Sequence, residues 1–111
     1  HAADVDRLKD FEPREGLAYV LKAIAMTLKE LGSTPLIGFA GAPFTLASYI
    51  IEGGPSKDFT KTKTFMHAQP QAWERLMRKV RRVTADYLKA QVEAGAQAVQ
   101  LFDSWVGVLT A

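Results

Sequence analysis

The sequence predicts an α/β protein built from parallel strands and crossover helices, with about two βα units present. Two short apolar runs, residues 36–41 and 97–102, are bounded by turn-forming residues and fit strands that are covered on both faces. The long region between them has helical apolar spacing, and a parallel pair requires a crossover of a dozen or more residues. Because two strands cannot bury both faces of a parallel sheet or close a barrel, the chain is expected to be a single segment, residues 1–111, of a larger α/β protein.

Composition limits the classes of function. The 111 residues are 48% hydrophobic and 23% charged, with a formal net charge of +2, which is ordinary for a globular chain. This mild charge gives no reason to expect a nucleic acid or a membrane surface as partner, and no apolar run approaches the roughly 20 residues of a membrane span. The absence of cysteine excludes disulfides and thiol chemistry and fits a cytoplasmic location.

The amino-terminal third predicts a loop followed by a helix. Residues 1–13 are polar and end at Pro13, which suggests a loop or short turn. From Glu15, apolar residues recur every three or four positions, as in an amphipathic helix, and Gly32 closes it. These apolar positions are Leu17, Val20, Leu21, Ile24, Leu28 and Leu31.

Two short helices are expected after the first strand. Pro43 suits a first helical position, and the apolar run after it ends at Gly53. A second short helix within residues 55–69 would stop before Pro70.

The longest predicted helix runs from Pro70 to Ala94 and is capped by Gly95. Its apolar stripe is expected to be buried against the strand pair and comprises Trp73, Leu76, Val80, Val83 and Tyr87. Its basic residues fall mostly off this stripe and are expected to form a solvated outer face: Arg75, Arg78, Lys79, Arg81, Arg82 and Lys89. After the second strand, residues 103–110 begin another passage from loop to helix.

Polar residues that could bind a ligand follow both strands. Ligands in parallel α/β folds lie beyond the carboxyl ends of the strands. Tyr49 follows the first strand, and Asp103 and Ser104 follow the second. A buried tyrosine with its hydroxyl at the rim of the core is the more common alternative for Tyr49. Asp103 and Ser104 could equally cap the next helix.

The remaining polar residues give weaker indications of a binding, catalytic or metal site. Glu52 lies near a helix C-terminus, where its charge is unfavourable, so we expect it to have a partner or to be fully solvated. No histidine lies near Ser104 in the sequence, which leaves a serine triad unsupported, and the two histidines show no metal-ligand spacing.

Two long stretches, PLIGFAGAPFTLASYIIEGG and VEAGAQAVQLFDSWVG, closely resemble the uroporphyrinogen decarboxylase family. The resemblance extends over nearly the whole chain. It implies a (β/α)8 barrel of the TIM type that acts in the cytoplasm, usually as a homodimer, in haem and porphyrin biosynthesis. It also implies a carboxy-lyase that removes four acetate carboxyl groups from uroporphyrinogen to give coproporphyrinogen, with no metal or organic cofactor.

The resemblance also assigns roles to particular residues. It implies that Tyr49 and Ser104 line the cleft and bind the substrate through polar contacts to its carboxylates. Phe39 and Phe102 would be apolar walls against the macrocycle. The resemblance assigns no catalytic residue in this chain, and it gives Asp103 no catalytic role.

The family also has functional residues for which these 111 residues show no counterpart. They are an amino-terminal arginine motif, an aspartate that holds the pyrrole nitrogens, and a carboxyl-terminal histidine. The chain is therefore expected to be an internal piece of the barrel and inactive alone. The alternative is a non-catalytic binding or interaction module that retains one wall of the tetrapyrrole cleft.

Overall fold

The computed structural model describes residues 1–9 and 11–109 and has the predicted mixture of helices and parallel strands. Residues 103–110 are predicted to lead into a helix after the second strand. Residue 110, the last of them, lies outside the described residues. The elements, in chain order, are α1 (Ala2–Arg7), α2 (Pro13–Gly16), α3 (Ala18–Leu31), β1 (Ile37–Gly41), α4 (Pro43–Glu52), α5 (Thr60–Ala68), α6 (Pro70–Glu93), β2 (Ala98–Phe102) and a short 3₁₀ helix (Val106–Val108).

The two strands pair in parallel, as the alternation of elements predicts. Ile37 lies opposite Ala98, and Gly41 lies opposite Phe102. Beyond the strand end, the Ala42 N–H donates to the Phe102 carbonyl oxygen at 2.7 Å. The crossover between the strands consists of α4, α5 and α6.

The strands are less covered than expected: β1 is covered on one face only and every residue of β2 is exposed, which corrects the expectation of strands covered on both faces. Gly38 and Ala40 are buried, and the side chain of Gln91 on α6 lies directly over Gly38. Ile37 and Phe39 point to the other face, and each is 63% exposed. Within the described part of the chain, this second face is left exposed, whereas α6 packs on β1 and α4 and α5 pack on α6.

The stripe predicted for α6 packs mainly against other helices, and the expectation that all of it is buried against the strands is wrong. Leu76 is 1% exposed and forms a core with Val5 of α1 and Ala47 of α4, whereas Trp73 and Val80 are half-buried at the edge of this core. The fully buried positions of α6 are mostly small or polar: Ala72, Leu76, Thr84, Ala90 and Gln91. Small side chains are buried there because they let the neighbouring elements approach closely.

Residues 2–7 form a helix, so the prediction of a loop or short turn over residues 1–13 is wrong for this stretch, whereas residues 8, 9, 11 and 12 belong to no helix and residue 10 lies outside the described residues. Val5 of α1 is buried in the core next to Leu76. A helix of six residues is marginal by itself, and tertiary packing of this kind is what stabilises it.

Two basic residues of α6 hold this segment in place, which also corrects the expectation of a wholly solvated basic face. Lys79 Nζ donates to the carbonyl oxygens of Val5 (2.9 Å) and Leu8 (3.0 Å) at the end of α1. Arg75 Nε donates to Asp6 Oδ1 at 3.2 Å. The two side chains therefore satisfy carbonyl and carboxylate groups of α1 that sequence spacing could not reveal.

Candidate functional site at the carboxyl ends of the strands

The carboxyl ends of β1 and β2 lie side by side, since Gly41 pairs with Phe102. The segments that follow them, α4 and residues 103–109, therefore start from the same edge of the sheet. This is the edge at which parallel α/β proteins bind their ligands.

The first of these segments, α4, has the bounds that its end signals predict. Pro43 occupies the first turn, and Gly53 ends the helix in the left-handed conformation, with φ +77°. The Gly53 N–H donates to the Tyr49 carbonyl oxygen at 3.0 Å. One face of the helix is buried and comprises Phe44, Thr45, Ala47 and Ser48.

Tyr49 is a surface residue of α4, so the alternative of a core tyrosine does not hold. Its side chain is 45% exposed. Its ring packs on the indole of Trp105, with centroids 4.2 Å apart and planes tilted by 37°. On its other side it lines an open apolar groove of about 420 Å³ with Leu8, Phe11 and Val83.

Ser104 is exposed, and its two neighbours in the chain contact α4. Asp103 Oδ1 accepts a hydrogen bond from Thr45 Oγ1 at 2.8 Å, and Trp105 packs on Tyr49. The structure therefore brings Tyr49 and Ser104 to the same end of the strand pair and connects them through Trp105. That their hydroxyl groups share one cavity stays a prediction.

Asp103 does not cap the following helix with its side chain. Trp105 is the N-cap residue of the 3₁₀ helix, and the Asp103 carboxylate turns back to Thr45. The alternative that Asp103 or Ser104 caps the next helix is therefore wrong for the 3₁₀ helix, which has no side-chain cap. A ligand-binding role for Asp103 stays a prediction.

Thr45 and Trp105 are the residues of this site that sequence reasoning missed. Thr45 and Asp103 are separated by 58 positions, so their hydrogen bond leaves no local pattern. The one available signal is that Thr45 and Tyr49 lie four positions apart on a helix and hence on the same face.

Phe39 and Phe102 lie together on the uncovered face of the strand pair. Their rings meet edge to face, with centroids 5.8 Å apart and an interplanar angle of 77°. Phe102 is 50% exposed and Phe39 is 63% exposed. An exposed aromatic pair provides apolar surface beside the strand ends, and its contact with a macrocycle stays a prediction.

Glu52 has the partner that its position at a helix C-terminus leads one to expect. Its Oε1 accepts hydrogen bonds from the Thr62 backbone N–H (2.9 Å) and from Thr62 Oγ1 (3.0 Å). This carboxylate therefore links α4 to α5, and its contacts are structural.

The described residues show neither a metal-site cluster nor a membrane-spanning helix. No group of three or more acidic or histidine side chains in that part of the chain comes together as a possible metal site. Nor is any helix found there with the length and apolar content needed to cross a membrane.

The chain is an α/β segment with a parallel strand pair and crossover helices. Its polar groups lie near the carboxyl ends of the strands, where parallel α/β proteins bind ligands. The family model for "Uroporphyrinogen decarboxylase (URO-D)" matches residues 1–111, and the chain belongs to this family. The resemblance seen in the two long motifs is thereby confirmed.

Curated relatives agree with this assignment. The chain is 61% identical over 109 residues to the uroporphyrinogen decarboxylase of Sorangium cellulosum (strain So ce56), with 97% of this chain and 31% of the relative covered. It is 57% identical over 108 residues to that of Geobacillus thermodenitrificans (strain NG80-2), with 97% and 31% covered. For Streptomyces coelicolor the identity is 57% over 108 residues, with 97% and 30% covered. The chain thus spans about three-tenths of the length of these relatives.

Proposed function

We propose that residues 1–111 form an internal part of a (β/α)8 barrel that decarboxylates uroporphyrinogen. The observation that carries this proposal is the family match over the whole chain, together with identities of 57–61% to relatives named for that enzyme. In the complete enzyme, four acetate side chains lose carbon dioxide and coproporphyrinogen is formed, as part of porphyrin and haem biosynthesis. The complete enzyme is a cytoplasmic homodimer in this proposal and works without a cofactor.

Tyr49 and Ser104 are the substrate-binding residues in this proposal. Ser104 lies two positions beyond the end of β2, Tyr49 lies on the helix that follows β1, and both carry a hydroxyl group that can donate to a carboxylate. Hydrogen bonds from a hydroxyl to an ionised carboxylate are short and stronger than those between neutral groups. Phe39 and Phe102 supply the apolar surface beside them, which suits the flat faces of a tetrapyrrole.

The isolated chain is inactive in this proposal. Decarboxylation of the acetate requires the pyrrole ring to accept a proton and carry positive charge, and charges oriented in advance supply much of such stabilisation. Asp103 is the carboxylate beside Ser104 in the chain, but its Oδ1 already accepts from Thr45. In this proposal, the groups that stabilise the cation belong to the remainder of the barrel.

The test replaces the two hydroxyl groups in a complete decarboxylase that carries this segment. Tyr49→Phe and Ser104→Ala should each lower kcat/KM for uroporphyrinogen, because each removes a hydrogen bond to a charged group worth about 1.5–3 kcal/mol. That energy corresponds to a loss of roughly tenfold to a hundredfold. Tyr19→Phe is the matched control, since Tyr19 is 70% exposed on α3. Unchanged kcat/KM in both site variants would show that the assignment is wrong.

A second arm separates an enzyme segment from a non-catalytic binding module. The 111-residue chain is assayed alone and then mixed with the complementary upstream and downstream pieces of the barrel. We expect no turnover alone and recovery of turnover in the mixture. Turnover by the chain alone that Asp103→Asn abolishes would instead make Asp103 the catalytic carboxylate. Binding of tetrapyrrole without turnover in the mixture would favour the module.

A further inference from the structure

Residues 103 and 105 are both attached to the same face of α4. Thr45 Oγ1 donates to Asp103 Oδ1 at 2.8 Å, and the ring of Tyr49 packs on that of Trp105 at 4.2 Å. Thr45 and Tyr49 are one helical turn apart, so their side chains lie one above the other. The segment after β2 is therefore held to α4 at two points, one on each side of Ser104.

Burial distinguishes the two attachment points from the residue between them. Thr45 is buried at 9% exposure, and Asp103 and Trp105 are half-buried. Ser104 is exposed. The two neighbours thus face the protein, while the hydroxyl-bearing residue between them remains accessible to a ligand.

Trp105 has a second aromatic contact that fixes it further. Its ring lies 4.9 Å from that of Phe59, which is 3% exposed and directly precedes α5. Phe59 has a left-handed backbone, with φ +53°, which is uncommon for a residue with a side chain. Trp105 therefore packs between α4 and the start of α5, and its indole orders both the Tyr49 ring and the segment that contains Ser104.

From these contacts we infer that Thr45 and Trp105 are positioning residues, which hold Ser104 and Tyr49 in the geometry that binds substrate carboxylates. Asp103 serves as the acceptor for Thr45 and is an anchor of the segment. Residues fixed before binding do not have to lose conformational freedom when the ligand arrives, so a prearranged pair of hydroxyl groups binds more tightly. This inference rests on the proposed function, since it takes Tyr49 and Ser104 to be the substrate contacts.

The first experiment measures the order of Ser104 in the 111-residue chain. Thr45→Val keeps the shape of the side chain and removes the hydroxyl, and Thr45→Ser keeps the hydroxyl. In Thr45→Val, we expect the backbone order parameter of Ser104 from ¹⁵N relaxation to fall from about 0.85 to below about 0.6. Thr45→Ser should keep the original value, as should Thr64→Val, which changes an exposed threonine of α5.

The second experiment measures kinetics in a complete decarboxylase that carries this segment. Thr45→Val should lower kcat/KM for uroporphyrinogen by about tenfold. Thr45→Ser should retain most of the original kcat/KM, because it keeps the hydroxyl. Trp105→Phe retains an aromatic ring against Tyr49 and should lose less activity than Trp105→Ala. Assays well below the melting temperature of each variant separate positioning from loss of fold.

The outcomes distinguish this inference from the proposed function. If Ser104→Ala impairs the enzyme but Thr45→Val and Trp105→Ala do not, the positioning role is wrong and the proposed function stands. An unchanged order parameter of Ser104 in Thr45→Val also overturns the inference. If Ser104→Ala and Tyr49→Phe leave kcat/KM unchanged, the proposed site is wrong, and the positioning role for substrate falls with it.

Discussion

Glu52 connects two helices through a single carboxylate oxygen. α5 begins after Phe59, whose side chain offers no hydrogen-bond acceptor for the free N–H groups at the helix start. Glu52 Oε1 supplies that acceptor to the Thr62 N–H and also accepts from the buried Thr62 hydroxyl. A negative charge is favourable at the N-terminus of α5, although it is unfavourable at the C-terminus of its own helix.

We expect Glu52→Ala to lower the free energy of unfolding by about 1–3 kcal/mol, because it leaves the Thr62 groups without their acceptor. Glu52→Gln should cost less, since the amide retains an oxygen that can accept from the Thr62 N–H. Glu30→Ala is the control, because Glu30 is exposed in the last turn of α3. Urea unfolding measures the differences, and equal effects for Glu52→Ala and Glu30→Ala would contradict this role.

The contact between α6 and β1 depends on one glutamine and one glycine. Gln91 is 3% exposed, and its side-chain amide forms two hydrogen bonds with the backbone of Phe39. The Phe39 N–H donates to Gln91 Oε1 at 3.1 Å, and Gln91 Nε2 donates to the Phe39 carbonyl oxygen at 2.8 Å. The amide thus satisfies both backbone groups of a residue in β1 as a neighbouring strand would.

Gly38 leaves the space that this amide occupies. A Cβ at Gly38 would lie 2.5 Å from Gln91 Oε1, which is closer than real Cβ contacts come. The absence of a side chain at Gly38 is therefore what lets Gln91 reach the backbone of β1.

Gly38→Ala should destabilise the chain by about 1–3 kcal/mol, because it displaces Gln91 and leaves the part-buried backbone groups of Phe39 and the buried amide of Gln91 unpaired. Gln91→Leu should have a similar cost, and the double variant should cost less than the sum of the two, since both changes remove the same contact. Gly54→Ala is the matched control, because a Cβ there would meet no atom within 4 Å. Additive effects in urea unfolding would show that the two residues act separately.

Across the chain as a whole, the strand pair is poorly covered: β1 has one bare face, and β2 is exposed throughout. The bare face exposes Ile37, Phe39 and Phe102 together. Contiguous apolar surface of this kind is characteristic of a site that contacts other protein, and the unpaired edges of a two-stranded sheet add to the tendency to associate.

We expect the 111-residue chain to self-associate, and the double substitution Ile37→Thr with Phe39→Thr to reduce that association. Threonine keeps the preference for a strand while removing apolar surface. Met26→Thr serves as the control, because Met26 is 59% exposed on α3, away from the strands. Sedimentation velocity over a range of concentrations measures the effect. Association that persists unchanged in the double variant would show that another surface is responsible.

Elements with local signals could be predicted from the residues alone. Pro43 and Gly53 delimit α4, Pro70 starts α6, and Gly95, with φ +118°, follows its end. These residues act through their own backbone preferences, so their effect is visible without knowledge of the fold. The parallel pairing also followed from sequence, because a long helical crossover leaves few other arrangements.

Contacts between residues that are distant in the chain could be identified only from the folded structure. The helix α1 depends on the burial of Val5 beside Leu76, and the site depends on the hydrogen bond between Thr45 and Asp103. The expected burial of the α6 stripe against the strands was wrong because periodicity gives the apolar face of a helix but not its neighbour. The residues next to a position in the sequence do not indicate which residue dozens of positions away contacts it. Such a contact forms only when the chain folds back on itself.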